Sequence, residues 1–135
     1  MTTTVKSFSA PNATDLLLAV NTYLASLTNP IIRKLDLFVS DVTFRVGVEY
    51  RIMLVTEDGG AALATPWVLS LINAQGNGAL QTALQAAYAA HQAYFWGGPL
   101  FSVNDVDNGK IPRYTAAVLY NTTNNANALA NYALR

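Results

Sequence analysis

One histidine, two glutamates and six aspartates are the chain's imidazole and carboxylate groups for proton transfer or metal ligation, and cysteine is absent. General acid–base chemistry needs such groups in pairs with matched environments, and a histidine-based zinc site needs more than one imidazole. His91 has no second histidine to join it. It falls among bulky apolar residues, where an imidazole hydrogen-bonded through one ring nitrogen is a core residue rather than a catalyst. Glu49 lies two residues from Arg51 and four from Arg45, the spacing of ion pairs on one strand face. The acidic residues of Asp105-Val-Asp107-Asn-Gly109 have something of a calcium loop about them, but Val106 occupies a ligand position when Gly109 is aligned, so the segment reads as a turn. Gly76-x-Gly78 and Gly97-Gly98 lack the lysine and the strand-to-helix context of a phosphate loop. No Gly-x-Ser-x-Gly elbow is present. The sequence therefore assigns no catalytic residue, no metal ligand and no cofactor.

The elements that would position these groups follow from periodicity and punctuation. Thr3 to Ser9 alternates as a short strand. Asn12 is an N-cap with Asp15 three residues on, and Leu16, Leu17, Val20, Tyr23, Leu24 and Leu27 recur at helical spacing up to Asn29-Pro30. Leu35, Leu37 and Val39 are apolar at odd positions, whereas Val42, Phe44, Val46, Val48, Tyr50, Ile52 and Leu54 are apolar at even ones. That change of parity predicts a turn or bulge at Ser40-Asp41, with Gly47 marking a bend in the long strand that follows. Thr43, Arg45, Glu49 and Arg51 form its charged outer face. Trp67 to Ile72 reads as a strand, Ala79 to Trp96 as a helix stopped by Gly97-Gly98-Pro99, Arg113 to Asn121 as a strand and Asn125 to Leu134 as a terminal helix. The predicted order is β-α-β-β-β-α-β-α, a single α+β domain over residues 1–135 with helices flanking a largely antiparallel sheet.

Charge is scarce and unevenly placed. Hydrophobic residues make up 52% of the 135 and charged residues 12%, about half the usual share of roughly 25%. Nine of the sixteen charges lie between Arg33 and Asp58, and none between Gly59 and Asn104. With net charge zero and no basic cluster beyond Arg33-Lys34, an electrostatic grip on nucleic acid is not expected. The first residues, MTTTVKSFSAPN, lack the apolar stretch of a secretory signal, and no apolar run approaches the roughly 20 residues that span a bilayer. A soluble chain is expected, with Asn, Gln, Ser and Thr keeping it in solution. The acceptor patterns Asn12-Ala-Thr14 and Asn121-Thr-Thr123 read as fortuitous.

On a helical wheel the second helix divides into three faces. Leu80, Leu84, Ala87, Tyr88, His91, Tyr94 and Phe95 form a bulky stripe suited to the sheet. Gln81, Gln85 and Gln92 form a narrow polar edge, and Thr82, Ala86, Ala89, Ala90 and Ala93 a smooth back. Trp96 falls beyond the glutamine edge, pointing away from the core, where a tryptophan in an uncharged region is an interface anchor. Interface residues are accordingly expected at Trp96, Ala86, Ala89, Ala93, Gln85 and Gln92, covered by another subunit or by the first or last helix of the same chain.

In low charge, amide-rich loops and element order the chain resembles small virion proteins of tailed bacteriophages, of the tail-terminator, neck or tube type. The resemblance implies a non-enzymatic assembly subunit that forms a homo-oligomeric ring, tube or shell with copies of itself and other subunits, without nucleic acid or membrane as partner. It carries no motif, so no functional residue comes with it. A second reading is a small-molecule binding module or enzyme whose pocket lies around His91, Tyr88 and Tyr94, with Trp96 beside them.

Overall fold

Asn12 starts the first helix, α1 (Ala13–Ser26), as its position predicts: its Oδ1 accepts from the Asp15 N–H at 2.8 Å and its Nδ2 donates to the Asp15 carboxylate at 3.0 Å. The structure, a computed structural model, describes residues 2–41, 48–91, 95–96, 99–106, 111–123 and 126–132. Around α1 the remaining elements are β1 (Thr3–Ala10), β2 (Ile31–Asp41), β3 (Val48–Glu57), β4 (Trp67–Ala74), α2 (Asn77–Ala90), β5 (Phe95–Trp96), β6 (Leu100–Val106), β7 (Ile111–Asn121) and α3 (Ala126–Ala130). The fold is α+β, built on two small antiparallel sheets. The first has strand order β1-β3-β2; in the second, β7 pairs with β4 on one side and with β5 and β6 in turn on the other.

The change of apolar parity has a different origin from the one the sequence suggests. β2 runs unbroken through Ser40 and Asp41, which pair with Glu49 and Val48. Leu35 lies opposite Leu54, Leu37 opposite Ile52 and Val39 opposite Tyr50, so the antiparallel reversal itself brings odd residues of β2 and even residues of β3 to one face. The expected bend at Gly47 lies outside the described residues. The register shift sits instead between Ile32 and Lys34. Arg33 is the extra residue, and this bulge lets Ile32 and Leu35 both face inward, each almost fully buried.

One core joins the two sheets. Leu16, Val20 and Leu24 of α1 meet Ile32 and Leu35 of β2, Ile52 and Leu54 of β3, Trp67 and Leu69 of β4, and Leu119 of β7. The Tyr50 hydroxyl and the Thr115 hydroxyl both donate to Asn73 Oδ1, at 3.3 and 2.7 Å, tying the sheets together at one end. At the other side Tyr132 lies 5.5 Å from the Trp67 ring. Asn21 of α1 holds the outer edge of β4: its Oδ1 accepts from the Leu69 N–H at 2.8 Å and its Nδ2 donates to the Leu69 carbonyl at 3.1 Å. A side-chain amide thus takes the place of a neighbouring strand.

The segment between β3 and β4 has no ladder of its own, and asparagines hold it. Asn131, 2% exposed, accepts from the Ala61 N–H at 3.0 Å and donates to the Ala61 carbonyl at 2.8 Å. Asn29 Oδ1 accepts from Leu63 N–H, Asn127 Nδ2 donates to the Ala62 carbonyl, and the fully buried Asn121 donates to the Thr65 carbonyl. Asn29 itself takes φ +49°, a left-handed conformation that asparagine tolerates. These amides fasten the segment, Asn121 and Asn131 from inside the fold, and the buried Asn121 has no room for a glycan. Gly60 passes so close that a Cβ would sit 2.6 Å from both the Asn29 carbonyl oxygen and Asn131 Nδ2. Asn131→Ala is expected to lower stability by about 1–2 kcal/mol, since two hydrogen bonds made by a buried side chain are lost. Urea denaturation checks this, with Gly60→Ala expected to move in the same direction; a loss under about 0.5 kcal/mol would mean the loop is held by other contacts.

Candidate functional site

The second helix ends earlier than its alanine-rich sequence predicts. α2 stops at Ala90, and His91 caps it with φ −117° and ψ 26°, its N–H bonded to the Ala87 carbonyl at 3.1 Å. Phe95 and Trp96 form β5 opposite Asn121 and Tyr120, because aromatic residues suit a strand and β7 offers an edge with which to pair. Trp96 is therefore a strand residue and not the end of a helix. The expected positions of Gln92, Ala93 and Tyr94 on the wheel lie outside the described residues. Asp105 and Val106, predicted to begin a turn, instead pair with Pro112 and Ile111 within β6 and β7, and the rest of that predicted turn lies outside the described residues. The terminal helix is shorter than predicted, covering Ala126–Ala130.

α2 lies on the face of the second sheet opposite the main core. Trp67, Leu69, Ala117 and Leu119 belong to that core, whereas the buried Ala116 and Val118 do not and face the other way. Leu80 is the buried residue of α2; Leu84, Ala87 and His91 are half-buried. His91 stacks on Tyr120 of β7, ring centroids 4.7 Å apart and planes 25° apart. Of the predicted bulky stripe, Leu80, Leu84, Ala87 and His91 pack inward, whereas Tyr88 is exposed and Phe95 belongs to β5 rather than to the helix. Ala86, Ala89 and Ala90 are exposed, and neither α1 nor α3 packs over them. Of the two predicted covers, the one from within the chain is absent among the described residues.

Beside this helix β6 presents Phe101 and Val103, 56% and 58% exposed. An open groove of about 410 Å³ runs between the two elements, lined by Asn77, Leu80, Gln81, Leu84, Gln85, Tyr88 and Phe101. It brings together Gln85 and Tyr88 from the sequence expectations. His91 is not among its lining residues, so the predicted grouping of His91 with Tyr88 in one pocket does not form there. Phe101 and Val103 escape the sequence reading, although they alternate with polar Ser102 and Asn104 just beyond Pro99, which is a strand signal.

Three carboxylates are held in ion pairs. Glu49 meets Arg51 at 3.1 Å, Asp36 meets Lys34 at 3.4 Å and Glu57 meets Arg33 at 2.8 Å. The Arg33 hydrogen bond holds the Glu57 carboxyl below the ordinary glutamate value, against an opposing effect of desolvation. Among the described residues no three of His, Cys, Asp and Glu stand close enough to hold a metal ion, and no helix is long and apolar enough to cross a membrane. Set against known proteins, the chain matches no protein-family model, no curated protein and no solved structure.

His91→Ala is expected to cost about 1 kcal/mol through loss of the ring stack, seen as a lower thermal midpoint; unchanged stability would return His91 to the candidate ligand-binding residues. For Glu57 the sign follows from its lowered folded value. Its contribution is present above the ordinary glutamate pKa and is lost as pH falls through the lowered one. The stability gap between the native chain and Glu57→Gln should accordingly close in acid, which denaturation at a series of pH values will show. A gap that widened in acid would reverse the assignment.

Proposed function

We propose that the chain is a non-enzymatic assembly subunit that packs against copies of itself, and against other subunits, through the uncharged outer face of α2 and β6. The observation that carries this reading is a single surface. Ala86, Ala89 and Ala90 are exposed along α2, Tyr88, Phe101 and Val103 are each more than a third exposed around the adjoining groove, and no charged residue lies between Gly59 and Asn104. Small side chains let another backbone approach closely, and exposed aromatic groups provide anchors for a contact. Gln81 and Gln85 supply a polar rim of the kind interfaces have. Trp96, in β5 on the same sheet, remains a proposed contact residue. The finer reading, a ring, tube or shell subunit of a tailed-phage virion, rests on the resemblance in composition and element order.

Size-exclusion chromatography with light scattering tests the proposal. The native chain is expected to run as a homo-oligomer. Ala89→Glu places a charge on the small-residue face beside Gln85 and should reduce the mass while leaving the circular dichroism spectrum unchanged. A native chain that stays monomeric at high concentration would overturn the reading, as would an oligomer indifferent to this charge.

A further inference from the structure

Sheet edges are the places where a chain can add a strand, and this fold closes them unequally. The β4 edge is held by the Asn21 amide at Leu69. β2 carries the Arg33 bulge, donates its Ile32 N–H to the Asn131 carbonyl, and packs beside β6. β1 has none of these devices. Its register with β3 is unbroken from Thr3 opposite Glu57 to Ala10 opposite Tyr50, it contains no proline, and among the described residues nothing pairs with its other side. Thr3 to Ser7 are exposed on both faces of the strand.

The backbone direction is fixed by the first pair. The Asp58 N–H donates to the Thr2 carbonyl at 3.2 Å. Hydrogen-bonded pairs alternate along an antiparallel ladder, so the even residues of β1 bond to β3. Thr3, Val5, Ser7 and Ser9 aim their N–H and C=O groups at the open side. Only registers that oppose odd residues to odd residues satisfy them. The register with Val5 opposite Ser7 would set Lys6 directly against Lys6 of the other copy, which like-charge repulsion disfavours. Placing Val5 opposite Val5 instead sets Thr3 against Ser7 and Thr4 against Lys6, and uses the five residues that are bare on both faces. Because Val5 already lies opposite Val55, this register also extends one apolar row across the join, from Val55 and Val5 of one copy to Val5 and Val55 of the next.

We propose that β1 pairs with β1 of a second copy, antiparallel about a two-fold axis at Val5, to form a continuous six-stranded sheet. This surface is separate from the α2 face, and its test is run in the Ala89→Glu chain so that the two contacts fail or survive independently. Sedimentation should show a dimer in that background. Val5→Pro leaves the β3 ladder intact, since the Val5 N–H takes no part in it, and Val5→Lys requires no change of backbone; both should weaken the dimer at least about ten-fold. The chain has no cysteine, so Val5→Cys gives a single thiol that should cross-link across the axis on oxidation. Thr3→Cys should not, because its two copies would stand roughly 13 Å apart along the strands at ~3.3 Å per residue. A monomer in the Ala89→Glu background, a dimer unaffected by both Val5 variants, or equal cross-linking at positions 3 and 5 would each overturn the proposal.

Discussion

Between Asp58 and Pro66 the backbone passes from one sheet to the other without strand or helix, so its polar groups have no ladder of their own to pair with. Much else depends on how those groups are partnered. Asn29, from the turn after α1, and Asn127 and Asn131, from α3 and the residue after it, reach the segment from different parts of the chain. Asn131 also accepts the Ile32 N–H through its carbonyl at 2.7 Å, so the same residue that holds the loop anchors the start of β2. Gly60 is confined there by contact, having no space for a Cβ. The loop, the last helix and the first sheet are thereby made a single structure, and Trp67 enters the core at the point where the loop ends.

Local signals suffice to read much of this fold. Asn12 and the helical spacing of Leu16, Val20 and Leu24 identify α1, and the β-rich runs at Thr3, Trp67 and Arg113 identify β1, β4 and β7. What the sequence obscures depends on partners distant in the chain. A shift of parity looks the same whether it comes from a bulge or from the reversal of an antiparallel hairpin, so Ser40 and Asp41 resemble a turn. The actual bulge at Arg33 has neither glycine nor proline to mark it. Phe95 and Trp96 follow a strong helix former and read as its continuation, because the edge of β7 that recruits them lies about twenty-five residues away.

The amides show a different limit. Composition treats an asparagine as polar wherever it stands, and an amide-rich, charge-poor chain reads naturally as one that stays soluble through uncharged groups. Asn121 and Asn131 are instead among the most buried residues in the molecule. Of the candidate site, the neutrality of the segment and the exposed alanine face are legible in the sequence; the groove is not, since Phe101 reaches α2 only through the pairing of β6 with β7.

The two hydrogen bonds from Asn21 to Leu69 have a consequence for growth. A molecule with matching open edges on opposite sides can add copies without limit, as a fibre does. Here one candidate edge is stoppered by an amide carried on a helix, and it cannot be exposed unless that helix lifts away from the core. At the other sheet, the two-fold pairing proposed for β1 would use up both strands that meet in it, so that it too would end growth rather than continue it.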